Sequence, residues 1–308
     1  MTQSVISFEE LRNKDVAIVG GKNASLGEMI SQLKAKGVRV PTGFATTSDA
    51  FNEFLTQDQL GKRIEQELEG LDINDVVKLS QSGKKIRKWI LDTPFSSDFE
   101  DNIKNHYESL IKKSPKGTTF AVRSSATAED LPDASFAGQQ ESFLNIHGLE
   151  NIRQAIKEVF ASLYNDRAIS YRVHKNFIHS DVAISAGVQQ MVRSDMGSSG
   201  VMFTIDTESG FKDVIFITSS YGLGETVVQG SVNPDEFYVH KALLKLGKNA
   251  IVRKSIGSKK IKMIFSEDTK AGLSTSTVDV EENLANQFSV NDDDVSELAN
   301  YAMIIESH

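Results

Sequence analysis

Residues 120–143 read FAVRSSATAEDLPDASFAGQQESF. A short apolar strand, Phe120 to Val122, runs into Arg123 and then into a stretch of Ser, Ala, Thr and Gly. The pattern on its two sides differs. Upstream, residues 58–113 carry Leu60, Ile64 and Leu68, then Ile86, Trp89 and Ile90, then Ile103, Tyr107 and Leu110 at helical spacing, ending at Ser114-Pro115-Lys116-Gly117. Downstream, Ile152–Tyr171 reads as an amphipathic helix, and Val182–Val192, Val201–Ile205, Val214–Ser219, Phe237–His240 and Ile251–Lys254 read as strands. Residues 124–142 read as too small and polar for a core element, 266–287 as loop, and Asn291 as the cap of a final helix whose first turn holds Asp292, Asp293 and Asp294. The fold class is α+β, with a helical first third, a mixed middle and a β-rich second half.

Composition narrows the chemistry. The 308 residues contain no cysteine, which excludes disulfides, thiol nucleophiles and Cys-ligated metals. The net charge of -8 argues against generic nucleic-acid binding, no apolar run approaches a membrane span, and the N-terminus has no apolar signal region. A cytoplasmic location follows as the expectation. Charge is unevenly spread: Lys241–Lys262 holds eight basic residues and no acid, and Asp279–His308 holds eight acids and no base. Two solvated faces explain this, as does a basic rim drawing in a phosphate-rich ligand.

Five segments could carry chemistry. Asp15–Gly21 reads as a strand or turn, and Gly20-Gly21-Lys22-Asn23 as a strand-to-helix junction. Glycines and free amides there can approach an anion, and Lys22 adds a full charge. Asn23 stands where a P-loop has Ser or Thr, so this is not a P-loop. Arg123 with Ser124, Ser125 and Thr127 suits an oxyanion, or forms a surface loop with Arg123 paired to Glu129 or Asp130. Ala134–Phe143, with Gly138 and Ser142, suits a phosphate-covering flap or a plain hairpin. Gly187–Val192 suits a base-binding strand with Met191 on a ring face, or an edge strand with Gln189 and Gln190 in water. Gly222-Leu223-Gly224-Glu225 lacks the third glycine of a dinucleotide fingerprint; Glu225 is a carboxylate near a metal or the first-turn acid of a helix. The six histidines show no clustered ligand spacing.

Together, VGGKNASLGEM, VPTGFATTSDAF, FAVRSSATAEDLPDASFAGQQESFLN, ASLYNDRAISYRVH, GVQQMVRSDMGSSGVMFTIDTESGF, YGLGETVVQGSVNPDEFYVHK and GSKKIKM resemble the N-terminal nucleotide-binding domain of the phosphoenolpyruvate synthase (pyruvate, water dikinase) family. Pyruvate phosphate dikinases and rifampin phosphotransferases share the shorter phrases. The resemblance implies an ATP-grasp-like domain of two lobes with ATP between them, divided roughly into a helical lobe (1–115), a Ser/Gly-rich phosphate-flap lobe (116–195) and a β-rich remainder (196–308). It implies ATP and Mg²⁺ as cofactors: Lys22 and Arg123 on the phosphates, Gly138 and Ser142 in the flap, Gln189 at the adenine, and Glu225 nearby. The family's D-x-E-W and Q-A-R-P-E strands, which carry the metal carboxylate, are absent here. The resemblance therefore implies a domain truncated at its C-terminal end, inactive alone, with metal ligands, phosphohistidine and pyruvate site beyond His308, in an enzyme expected to be a homodimer. Alternatives are a rifampin phosphotransferase or pyruvate phosphate dikinase domain, or a non-catalytic nucleotide-binding module.

Overall fold

The computed structural model describes residues 3–127, 141–268 and 272–308, with backbone alone for 130–131 and 134–135. The chain forms two compact units. The first holds residues 1–32, 39–191 and 269–272, the second residues 33–38, 192–268 and 273–308.

The first unit is organised by a five-stranded antiparallel sheet in the order Val5–Ser7, Gly43–Thr46, Ile184–Gln190, Phe120–Ala126, Ser142–Ile146. Period-2 alternation assigns each side chain to one face. Ile184, Ala186 and Val188 point into a core shared with Phe120 and Val122, closed by helices Ser48–Thr56, Leu60–Leu68, Val76–Asp92, Ser97–Lys113 and Leu149–Ser162. Phe51, Phe54, Phe95, Phe99 and Phe160 interlock there, with centroids 4.8–6.4 Å apart. Ser185, Gly187 and Gln189 take the opposite face with Arg123 and Ser125, and the helix Val16–Leu33 lies over part of it. Phe8, Leu11, Val19, Ala24, Ile30 and Ala45 form a smaller core on that side.

In the second unit, strands Ile251–Ser255, Asp235–His240, Val214–Tyr221 and Ser198–Phe203 make an antiparallel sheet. Ile215, Ile217, Phe237 and Val239 pack one face against Val295, Ala299 and Ala302 of the helix Asp292–Glu306. Asn291 caps that helix as expected, its Oδ1 accepting from Asp294 N at 2.8 Å. Asp235 is fully buried, pairs with the equally buried Lys259 at 2.5 Å, and accepts from Gly257 N, Ser289 N and Ser289 Oγ. The charge blocks partly neutralise each other, since Lys254 meets Asp292 at 2.8 Å and Lys241 meets Glu306 at 2.6 Å. No helix among the described residues is long and apolar enough to cross a membrane.

Several sequence expectations are corrected. Residues 16–19 are helical, and the Gly-Gly turn is a break between two helical segments, not a strand-to-helix junction. Ser124 and Ser125, read as too polar for a core element, are 3% and 0% exposed, because the Phe120–Ala126 strand continues through them. The helix read as Ile152–Tyr171 is two, Leu149–Ser162 and Asp166–His174, separated at Asn165. Ser48, which the sequence offers as the cap of a second helix through Phe51 and Leu55, is that helix's first residue and donates to Ala17 O; the cap is Thr47, whose hydroxyl accepts from Ala50 N. The stretch 266–287 contains the strand Thr275–Asp279, which pairs with Ile261–Phe265, and the short helix Glu282–Ala285.

Candidate functional site

The site grows from the helix break at Gly20. Its φ of 76° and ψ of 164° lie in a region essentially confined to glycine. A Cβ there would sit 2.5 Å from Ser125 O, so only a bare backbone can approach the Phe120–Ala126 strand this closely. The second helical segment then begins beside that strand, with Lys22 in its first turn, one position before the buried Asn23.

Arg123 arises from the sheet at the matching place. It is the one exposed position of its strand, flanked in register by Gly187 on one side and Ser142 on the other. Gly187 has no side chain to crowd it, while Ser142 shares its face at an exposed position.

Lys22, Arg123, Gln189, Asn23, Gly187, Phe8, Leu26 and Met29 line one cavity of about 230 Å³, all within the first unit. Lys22, Leu26 and Met29 fall at i, i+4 and i+7, one stripe of the helix. Leu26 and Met29 are only half-buried, whereas Ile30 and Leu33 of the same helix are buried. The cavity thus combines two fixed cations with an apolar wall. Gln189 is 7% exposed and its Nε2 donates to Pro41 O at 3.0 Å, on a strand held between two neighbours. The edge-strand reading is therefore wrong for Gln189. Met191 lies outside the lining and accepts a hydrogen bond from Asn145 N through its sulfur.

Of the sequence candidates, one lies in the other unit and one outside the described residues. Glu225 belongs to the second unit, in the first turn of the helix Glu225–Val228, and accepts from Gln229 Nε2 at 2.8 Å. Gly138 lies outside the described residues, as do Glu129 and the side chain of Asp130. Sequence reading missed Phe8 as a wall residue and Asn23 as more than a departure from the P-loop. Leu26 and Met29 stand with Ile30 and Leu33 at helical spacing in the sequence, with nothing in the letters to separate them. Their shared stripe with Lys22 was the available signal.

Magnesium takes oxygen ligands, usually carboxylates with water and phosphate. Among the described residues the cavity lining contains no carboxylate, and no group of three or more His, Asp or Glu could hold a metal ion. The residues present therefore fit the anionic end of a ligand and do not fit Mg²⁺.

A model of the pyruvate phosphate dikinase AMP/ATP-binding domain matches residues 16–308. The chain belongs to this family. It is 62% identical over 305 residues to a phosphoenolpyruvate synthase of Neisseria meningitidis, and 56% identical over 308 residues to one of Pseudomonas aeruginosa. A phosphoenolpyruvate synthase of Escherichia coli is 56% identical over 304 residues. These alignments cover 99%, 100% and 99% of the chain but only 38%, 39% and 38% of the relatives, so the chain spans about two fifths of their length. The Gly20 break, the Arg123 strand and the Gln189 strand all fall inside the part matched to the dikinase domain.

Proposed function

We propose that this chain binds ATP as the nucleotide-binding part of a phosphoenolpyruvate synthase, with the triphosphate between Lys22 and Arg123. The observation that carries the reading is the convergence of these two side chains, about a hundred residues apart in sequence, on one cavity with an apolar wall. A guanidinium binds phosphate oxygens in bidentate fashion, an ammonium binds them as a point charge, and the half-buried Leu26 and Met29 offer apolar surface to a base or ribose. In this reading Gln189, which lines the same cavity, meets the adenine, and Ser142 and Gly138 belong to a phosphate flap. Glu225 enters it only as a residue of the same domain.

In the whole enzyme the bound ATP would serve phosphorylation of pyruvate with water as co-substrate, releasing AMP and phosphate, by way of a histidine on another domain. What this chain contributes is positioning of the polyphosphate and neutralisation of its charge, the main protein contribution to phosphoryl transfer. Mg²⁺ would add charge neutralisation when present, and no step is assigned to it here because the lining does not fit it. An ATP-grasp-like architecture is the companion proposal, supported by two antiparallel α+β units, the first holding both phosphate cations.

The test is titration of ATP into the chain and its Lys22→Ala and Arg123→Ala variants. Each substitution removes a charge-assisted contact of about 1.5–3 kcal/mol and should weaken ATP about 10–100-fold. Neither should unfold the chain, since both side chains are exposed. Unchanged ATP affinity in both variants would remove the polyphosphate from this cavity.

A further inference from the structure

Asn23 is 3% exposed, in a helix whose neighbouring Lys22 and Ser25 are exposed. Its side-chain amide makes one local contact, of the kind exposed helical asparagines such as Asn102 and Asn300 also make, and one that reaches a distant strand. Nδ2 donates to Val19 O at 3.1 Å, across the break at Gly20, and to Ser185 Oγ at 2.9 Å. Ser185 Oγ in turn donates to Thr46 O at 2.6 Å, and Thr46 Oγ1 accepts from Ala186 N at 2.9 Å. Asn23's own backbone N–H points to Ser125 Oγ at 3.4 Å.

The register of the sheet gives these contacts their meaning. Ser125 lies opposite Ser185, and one pair further along the same face Arg123 lies opposite Gly187. Asn23 spans both rows. It bonds to Ser185 and Ser125 in the first, and in the second its Oδ1 occupies the space over Gly187, where a built Cβ would run into it with Cγ only 3.0 Å away. A residue at the junction of two strands and a helix break, with both amide donors committed, fixes the helix start in two directions over the sheet. Lys22 precedes it by one residue, and Arg123 belongs to the row that Asn23 overlies.

We propose that Asn23 is the positioning residue of the phosphate grip: its amide sets where Lys22 stands relative to Arg123, so that both cations reach one polyphosphate. This rests on the ATP reading above and goes beyond it. Asn23 also lines the cavity, but both of its amide donors are committed to Val19 and Ser185. It acts through Lys22. Small displacements of a positioned charge are expensive, since about 1 Å of misplacement costs up to about 100-fold.

The test compares ATP with adenosine, which shares the base and ribose and lacks the phosphates, in the 308-residue chain. Asn23→Ala should weaken ATP about tenfold, through displacement of Lys22. Adenosine affinity should stay within about twofold, because the base end of the cavity does not depend on Lys22. Ser185→Ala removes one acceptor at nearly constant shape and should weaken ATP about threefold with the same selectivity, and it decides the matter should Asn23→Ala fail to fold. ATP affinity unchanged in the folded variants, or ATP and adenosine weakened by equal factors, overturns the positioning role and leaves Asn23 a packing residue. Lys22→Ala serves as the separating control. If it weakens ATP while Asn23→Ala and Ser185→Ala do not, only this inference falls. If it leaves ATP unaffected this inference falls, and if Arg123→Ala does so too the phosphate reading falls with it.

Discussion

Gly20→Ala is the sharpest single perturbation of the site, because two independent terms oppose the added methyl group. The first is conformational. At φ 76° and ψ 164° an L side chain is strained, at a cost of about 1–3 kcal/mol. The second is steric. The new Cβ would lie 2.5 Å from Ser125 O and 2.6 Å from Ser125 C, backbone atoms of a strand hydrogen-bonded on both sides. Such an obstacle cannot rotate away, and overpacking adds about 1–3 kcal/mol. The sum, about 2–6 kcal/mol, is a large part of the 5–15 kcal/mol typical of a domain. The chain can reduce it only by lifting the Gly-Gly turn off the strand, and that displaces Lys22. Stability and ATP binding should therefore fall together. Trp89, the single tryptophan of the chain, lies in the first unit beside Arg63 and Lys85, so its fluorescence follows the unit that holds Gly20, and circular dichroism follows both units and serves for the control. Gly37→Ala is the matched control: φ is 91° there too, but nothing lies within 4 Å of the built Cβ. It should show strain alone, about 1 kcal/mol, with ATP binding intact. A Gly20→Ala chain as stable as the Gly37→Ala chain, with ATP affinity retained, would refute the close-approach argument.

Further outcomes follow from the same structure. Lys259→Met strands the carboxylate of Asp235 in a fully buried position and should destabilise the second unit by about 3–5 kcal/mol by circular dichroism, whereas a combined Asp235→Asn and Lys259→Met chain should recover part of the loss. Burial, and secondarily Arg172, push the His179 imidazole from 6.5 down to about 4, and Arg172 Nε donates to His179 Nδ1 at 2.9 Å. The unfolded chain therefore binds the extra proton between these pH values: stability from this group is full above pH 6.5 and falls as pH drops towards 4, by about 1–2 kcal/mol once screening at the part-exposed ring is allowed for. His179→Gln should flatten that limb of the acid-unfolding curve, and an unchanged limb would assign it to other groups. Asn291→Ala removes the capping box of the final helix and should cost about 1 kcal/mol, read as a lowered melting temperature.

Periodicity and capping were enough to determine the elements that depend on neighbours in the chain. The helices between Leu60 and Lys113, the break at Ser114–Gly117, the strands read at Val214–Ser219, Phe237–His240 and Ile251–Lys254, and the Asn291 cap are all local events. Helical spacing and side-chain capping act within one turn, and alternation acts within one strand. The errors came where distant contacts override local character. Val16–Val19 looks like a strand by composition but is wound into a helix over the sheet. Ser124 and Ser125 look like surface residues but are sheet interior, because Ser125 packs under Gly20 and lies opposite Ser185. Leu26 and Met29 carry the same apolar letters as Ile30 and Leu33. Only the packed sheet decides that the first pair faces a cavity and the second a core. The sequence by itself thus determined the residue types able to hold a polyphosphate, Lys22 and Arg123, because charge and hydrogen-bonding capacity belong to the side chain. Tertiary structure alone decided that they share one cavity, and that a buried asparagine ties the helix of Lys22 to the sheet that carries Arg123. Convergence across a hundred residues of chain depends on strand register and on the one glycine that lets the helix break against it.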